Sequence, residues 1–362
     1  MHKRWITLLL ILLLPLSVYT QTAKYSNAFL SIGIGAKSFG MANATVAHID
    51  GVTSGYWNPA GLSRLDKQYE LGIMHAEYFT GIAKYDYLGG AMKIDSSQHI
   101  GASLIRFGVD DIPNTTELID KQGNIDYDRI SYFSAADYAF ILSYARKSAV
   151  QNLTYGGNAK IIHRTIGSFA KAWGFGLDVG LQYSMNQWQF GAMARDITTT
   201  FNAWNYNAES LAIEVRDSAF NLAPDNNIEL TLPELTLGAA YQISLPNKFE
   251  GLMEMNLNML TGGKYHTLLT SGVLSMEPRW GMEFSYDQIL FLRFGIGNFQ
   301  RVPGMDGNEN LSYQPNIGLG IQYKGIALDY ALTDLGDQSA ALYSNIFTLR
   351  YAFDGNHTKS HR

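Results

Sequence analysis

The sequence has no cysteine, and charged residues make up only 16% of its 362 positions. The first absence excludes a disulfide framework, a thiolate metal site and a lipid anchor on cysteine. The formal net charge of −5 gives no sign of a nucleic-acid partner. The eight histidines are scattered without an H-E-x-x-H pair, so zinc has no ligand pattern. His99 and His163 fall inside strand patterns and read as lumen-facing or interfacial. "GIGAKSFG" (33–40) misplaces the third glycine of a dinucleotide fingerprint, and no glycine directly precedes Lys37 as a P-loop requires. "DKQGNIDYD" (120–128) loosely resembles a calcium loop but lacks the sixth-position glycine and the distal glutamate, and "MDGNEN" (305–310) is no better. Chain order alone nominates no Ser–His–Asp arrangement. The sequence therefore reads as non-enzymatic, with no catalytic residue, metal or cofactor assigned.

Long hydrophobic runs are also missing, except at the start. "MHKRWITLLLILLLPLSVYTQT" has a basic opening (Lys3, Arg4), an apolar run from Trp5 to Leu14, and small or polar residues after Pro15. That is the pattern of a secretory signal peptide, with cleavage expected after Thr20. No later stretch reaches 18 consecutive apolar residues, so no membrane helix is expected after it.

What is abundant is aromatic and small: 22 Tyr, 18 Phe, 6 Trp and 35 Gly. Over 172–183, Trp173, Phe175, Leu177, Val179, Leu181 and Tyr183 alternate with Ala172, Gly174, Gly176, Asp178, Gly180 and Gln182. The same period of two recurs at 234–243, 316–323 and 347–353, and it marks strands with one apolar and one polar face. Fourteen strands are predicted, near 68–78, 84–95, 98–108, 134–147, 152–164, 170–184, 188–199, 233–245, 248–259, 279–287, 289–299, 313–323, 325–333 and 343–353. Most are about 9–14 residues long, the length of a tilted membrane strand rather than a soluble one. Even-numbered strands end in tight turns, while odd-numbered strands mostly end in long loops (109–133, 200–232, 260–278, 300–312, 334–342). That sorting and the even count predict an all-β fold, a transmembrane antiparallel β-barrel of about fourteen strands with short periplasmic turns. Tyr69, Tyr78, Tyr85, Trp173, Tyr183, Trp188, Trp280 and Tyr286 are expected in its interfacial girdles.

Fourteen strands enclose more space than wall side chains fill, so water or a plug must occupy the bore. The stretch before the first strand is dense in small residues, with Gly33, Gly35, Gly40, Gly51, Gly55 and Gly61. Gly33, Gly35, Gly40, Trp57, Asn58, Pro59 and Gly61 are the candidate plug residues: glycines for close approach, Trp57 as a wedge, and Asn58-Pro59 as a capped turn. The expected organisation is a signal peptide (1–20), a periplasmic or lumenal plug segment (21–66), the outer-membrane barrel (67–353) and a periplasmic tail (354–362). Aromatic and acidic loop residues Asp110, Asp111, Tyr127, Tyr132, Phe201, Trp204 and Tyr206 are candidate partner contacts on the extracellular side.

Residues 29–65, "FLSIGIGAKSFGMANATVAHIDGVTSGYWNPAGLSRL", resemble the N-terminal signature of the PorV/PorQ family. The matching positions are Gly35-Ala36, Gly40-Met41, Ala44, Val46-Ala47 and Trp57-Asn58-Pro59-Ala60-Gly61-Leu62. The ending at 326–353 is similar to that family's closing hairpin. The family in turn is similar to the FadL group of fatty-acid transport barrels. The PorV/PorQ resemblance implies the outer membrane of a Gram-negative, Bacteroidetes-type cell and a part in type IX secretion. There the barrel binds cargo proteins by their C-terminal signal domains and passes them from the translocon to the attachment machinery. The FadL resemblance implies the alternative: a passive transporter of hydrophobic small molecules, with a hydrophobic ligand or detergent in the barrel. Passage would then displace the plug and run sideways through a kinked strand, with Gly89-Gly90 or Gly156-Gly157 as candidate kinks.

Overall fold

The computed structural model describes residues 26–119, 123–215, 218–221, 224, 227–261, 267–271, 274–303, 308–333 and 344–355. The expected signal peptide and most of the expected tail lie outside these. The chain forms a closed antiparallel barrel of fourteen strands. They are β1 (Tyr69–Tyr78), β2 (Ala83–Lys93), β3 (Gln98–Asn114), β4 (Ser131–Lys147), β5 (Leu153–Ile166) and β6 (Ala170–Met185). β7 comes in two parts (Trp188–Arg195 and Thr200–Tyr206), as does β8 (Ile228–Thr231 and Glu234–Ser244). β9 (Phe249–Thr261), β10 (Leu274–Tyr286), β11 (Leu290–Pro303), β12 (Glu309–Tyr323), β13 (Ile326–Thr333) and β14 (Ser344–Phe353) complete the ring. β14 pairs with β1 over Phe353↔Tyr69 to Asn345↔Glu77, which leaves no open edge. A bilayer demands this, because an unpaired backbone amide in hydrocarbon costs several kcal/mol.

The two-residue period sets which side chains meet lipid. In β6, Trp173, Phe175, Val179 and Leu181 are exposed outward, while Ala172, Asp178 and Gln182 are buried inside. Two expected girdle residues have the opposite parity. Tyr85 follows Ala83 and precedes Tyr87 on the inward face of β2, so it is fully buried and its hydroxyl donates to Phe29 O at 3.1 Å. Tyr78, expected with it, packs edge-on against the Tyr85 ring.

The strands also run further than expected on the long-loop side, where β3 and β4 pair out to Asn114↔Ser131 and β11 and β12 to Pro303↔Glu309. In those extensions the strict alternation that marks a membrane strand fades, with Asp110 beside Asp111 in β3 and Glu309 beside Asn310 in β12. The glycine pairs are not kinks. Gly89 and Gly90 pair in regular register with Gly72 and Leu71, and Gly156 and Gly157 with Gly180 and Val179. The irregularities lie elsewhere: between Val109 and Ile112 in β3, between Gly297 and Gln300 in β11, and at 196–199, where β7 divides.

Candidate functional site

The N-terminal segment enters with two left-handed glycines, Gly33 (φ 107°) and Gly35 (φ 83°), a region of φ that side chains with a Cβ disfavour. It then forms two single helical turns, α1 (Ala36–Gly40) and α2 (Ser54–Trp57), and a 3₁₀ turn over Pro59–Arg64. Asn58 is extended (φ −161°), as the following proline favours, and its side chain accepts from the Ala60 amide. The same side chain donates to Val46 O and Leu181 O, both at 2.9 Å. Gly61 marks a close crossing within the segment, where an added Cβ would stand 2.3 Å from Ile49 O. Trp57 is buried; its indole donates to Ile34 O at 2.8 Å, and the Arg195 guanidinium lies 5.5 Å from its ring centre.

The segment's hydrogen bonds reach strands all round the ring. Gly35 N donates to Met74 Sδ on β1, Ala36 N to Thr348 on β14, and Ala47 N to Glu254 on β9. Tyr87 of β2, Asn158 of β5 and Arg195 of β7 donate to Val52 O, Gly55 O and Tyr56 O. Phe29, Ile34, Phe39, Ile49, Tyr56 and Trp57 share one buried cluster with Met74, Tyr87, Ile105, Ile141, Ile162 and Ile346 of the wall. Glycines on the wall permit this approach. A Cβ on Gly191 would sit 2.4 Å from Val46 O, one on Gly281 2.6 Å from Met41 Cβ, and one on Gly295 2.3 Å from Ala42 N. Gly40 of the segment meets Gly318 of β12 at a distance only two glycines allow, a Cβ on Gly40 falling 2.9 Å from Gly318 Cα.

Three sets of charges flank the segment. Toward the short-turn rim, buried Arg293 bridges Glu283 (2.5 Å) and Asp329 (2.7 Å), and Arg350 joins Asp329 to Glu70. Midway up the wall, Lys160 holds Asp178 (2.7 Å) and Asp196 (2.5 Å), and Asp196 opens the interruption of β7. At the base, Lys67 pairs with Asp354, and the Gln68 amide donates to the same carboxylate at 3.0 Å. The Gln68 amide and then Lys67 hold the Asp354 carboxyl below its usual range.

On the long-loop side of the segment is a cavity of about 500 Å³. One half of its lining is apolar, with Leu30, Ile32, Phe39, Val46, Tyr56 and Trp57; the other is polar, with Glu234, Thr236, Asn256, Asn258, Glu277 and Arg279. Outside the barrel an apolar groove of about 830 Å³ crosses β1 to β6. Its floor is the cross-strand row Leu71–Gly90–Ala102–Leu142–Ala159–Leu177, in which glycine and alanine lower the surface. Cavity and groove share Asp178, and Ile197 of the β7 interruption also lines the groove. At the interruption the β6–β7 ladder lapses between Phe175↔Phe201 and Val179↔Ala194. There Ile197 N still donates to Leu177 O, and Asp196 N bonds to the Asp178 side chain rather than to backbone. Opposite, Leu232 and Pro233 separate the two parts of β8.

Of the seven candidate partner contacts, only Tyr127 lies in a loop, in an exposed 3₁₀ turn (Tyr127–Arg129). Asp110 and Asp111 form the bulge of β3, where Asp110 pairs with Lys84 and Arg106 and Asp111 has φ 56°. Tyr132 is exposed on β4. Phe201, Trp204 and Tyr206 lie in the second part of β7, with Phe201 outward, and Trp204 and Tyr206 stacked at 6.0 Å. The Trp204 indole donates to Glu229. The seven do not come together as one patch. The sequence reading missed Lys160, Asp178, Asp196, Arg195, Glu234 and Arg279; their mark is inward parity within otherwise apolar-alternating strands.

No protein-family model matches the sequence, and no curated protein matches it. Among solved structures, the barrel is similar to the Pseudomonas putida toluene transporter TodX (TM-score 0.56, 14% identity, 89% of this chain and 99% of that one). It is also similar to the CymD monoaromatic hydrocarbon channel (0.57, 12%, 90% and 99%) and the Ralstonia pickettii toluene transporter TbuX (0.54, 12%, 89% and 98%). At these identities the likeness is one of fold alone.

Proposed function

We propose that the protein is a passive channel for small hydrophobic molecules across the outer membrane, with residues 26–65 stopping the bore. Solute enters the cavity from the long-loop side and leaves sideways into lipid at the interruption of β7. The observation that carries this reading is the shared Asp178: it lines the inner cavity on one side of the wall and the lipid-facing groove on the other, beside the place where the wall ladder lapses. The similar structures, two toluene transporters and a monoaromatic hydrocarbon channel, point to the same class of solute.

A cysteine pair tests the route, and the absence of native cysteine leaves no competing thiol. A Cβ on Gly176 would lie 3.0 Å from Thr200 Cβ, and disulfides need about 3.5–4.5 Å, so Gly176→Cys with Thr200→Cys brings two thiols into bonding reach across the interruption once the strands ease apart by about 0.5 Å. Labelled toluene uptake by cells expressing the oxidised pair is expected to fall to the level of cells lacking the protein, and to recover on reduction. Uptake indifferent to the cross-link refutes the lateral route.

The secretion role implied by the PorV/PorQ resemblance is the second reading. Its support is the resemblance noted over 29–65, together with Tyr127 and Tyr132, both exposed toward the long-loop side. Loss of surface display of signal-domain cargo on deletion, with toluene uptake unchanged, would favour it over the channel.

A further inference from the structure

The cavity is not lined as a pure hydrocarbon would require. Its cations are all engaged. Lys160 is held by two carboxylates, Arg279 forks onto Glu277 (2.9 and 3.2 Å), and Arg195 donates to Leu30 O and Tyr56 O while lying over the Tyr56 ring. Asp178, Asp196 and Glu277 are partnered by those cations. Glu234, the remaining carboxylate of the lining, makes no hydrogen bond or ion pair with any described residue. It starts the second part of β8 directly after Pro233, at the height of the β7 interruption, where Glu234 pairs in register with Arg195. An unpaired carboxylate in a partly dry cavity is costly, and a ligand donor that reaches it removes the cost.

We infer that the cavity selects a small aromatic molecule bearing a neutral hydrogen-bond donor, a phenol or aromatic alcohol, which donates to Glu234 while its ring packs on Phe39, Tyr56 and Trp57. This rests on the channel reading and narrows its solute class. The volume, about 500 Å³, lies within the range of small-molecule sites. A neutral donor fits better than an ammonium, because Arg195 and Arg279 already act on Glu234 through space and would repel a second cation. The polar half of the lining, Asn256 and Asn258 included, explains why a bare hydrocarbon is the poorer ligand: it would strip water from these groups without replacing it.

The test compares p-cresol with toluene, which differ by the hydroxyl, by equilibrium dialysis against the full-length protein in detergent, corrected for protein-free micelles. Wild type is expected to bind p-cresol at least about tenfold more tightly, the worth of one hydrogen bond to a charged group. Glu234→Ala is expected to bring the ratio near one. Should that variant fail to fold, the isosteric Glu234→Gln must lower the ratio at least threefold. Toluene binding as tightly as p-cresol overturns the inference and leaves the channel reading standing, as does a ratio unmoved by both substitutions. Tighter binding of benzylammonium than of p-cresol overturns the choice of a neutral donor. If neither p-cresol nor toluene binds, inference and channel reading fall together.

Discussion

Replacing one wall glycine should loosen the whole N-terminal segment. At Gly295 an added Cβ stands 2.3 Å from Ala42 N, 2.3 Å from Met41 C and 2.8 Å from Ala42 Cβ. Two of these are backbone atoms, which cannot swing aside, so strand and segment must part. Overpacking of this kind costs about 1–3 kcal/mol. At about 2 kcal/mol the population of the detached segment rises roughly 30-fold, since each 1.4 kcal/mol is a factor of ten. Lys37 and Arg64 lie in the segment as trypsin sites, and Arg64 is held by Gln189 (2.7 Å) and Ser184 (3.0 Å) of the wall. Trypsin should therefore cut Gly295→Ala at Lys37 and Arg64 about 30 times faster than wild type, while opening is fast compared with cleavage. Gly101→Ala is the internal control: its Cβ would meet the Leu62 methyls at 3.4 Å and Gly90 O at 3.5 Å, ordinary contacts, and cleavage should stay within about twofold of wild type. Equal protection of wild type and Gly295→Ala would refute the view that wall glycines seat the segment. Faster cleavage of Gly101→Ala would show that any added methyl disturbs the barrel, and the argument from close approach would fail.

Three further outcomes follow from the same geometry. Arg293→Met leaves Glu283 and Asp329 as buried carboxylates without their shared cation, and should cost about 3–5 kcal/mol in urea unfolding followed by gel mobility; a loss under 1 kcal/mol would show that Arg350 alone suffices for Asp329. Asn58→Asp should destabilise more than Asn58→Ala, because the new carboxylate keeps the Ala60 amide but turns an acceptor toward Val46 O and Leu181 O; the reverse order in thermal melts would argue that the cap outweighs the two carbonyl bonds. The Asp354 carboxyl titrates below its unfolded value, so its contribution is full at neutral pH and disappears as pH falls through the depressed value; protection of the Gln68 amide in hydrogen exchange, corrected for intrinsic rate, should fall over that acid range, and Asp354→Asn should lower it already at pH 7.

Strand count, order and the short-turn rim could all be read from sequence, because hydrocarbon imposes one requirement on every membrane strand: apolar at each second position. Wherever that requirement lapses, the reading failed. The far ends of β3, β4, β11 and β12 are paired but lose the strict alternation, as at Asp110-Asp111 and Glu309-Asn310, and they fall within the expected loops. Aromatic identity suggests a girdle for Tyr85, but its parity with Ala83 and Tyr87 turns it inward. The glycines of β2 and β5 were read as kinks, although an inward glycine can equally mark the approach of another chain; Gly156 faces Pro59 and Ala60. The interruption of β7 left no sequence mark beyond "DITT" (196–199) and the opposing Pro233. Glu234 is silent for a different reason. Its lack of a partner is a property of the assembled cavity, and no local pattern encodes it.

The same contacts decide which way a solute can leave. Expelling residues 26–65 would break hydrogen bonds to β1, β2, β5, β6, β7, β9 and β14 together, each worth about 0.5–1.5 kcal/mol, and would expose Phe29, Ile34, Phe39, Ile49 and Trp57, at about 1.5–3 kcal/mol for each large side chain. That sum, about 11–26 kcal/mol, matches or exceeds the whole stability of an ordinary domain, about 5–15 kcal/mol, so wholesale removal of the segment is not a routine step. Opening the wall at 196–199 asks for far less: the Ile197–Leu177 backbone bond and the contacts of Asp196 with Asp178 and Lys160. Asn158 ties this cluster to the segment, donating to both Gly55 O (2.8 Å) and Asp178 (3.2 Å). Asn158→Leu cuts that tie without touching the cavity's apolar half. If the interruption opens against the segment through this link, the variant should take up toluene several-fold faster with trypsin protection at Lys37 unchanged; unchanged uptake would mean that the segment and the side opening work independently.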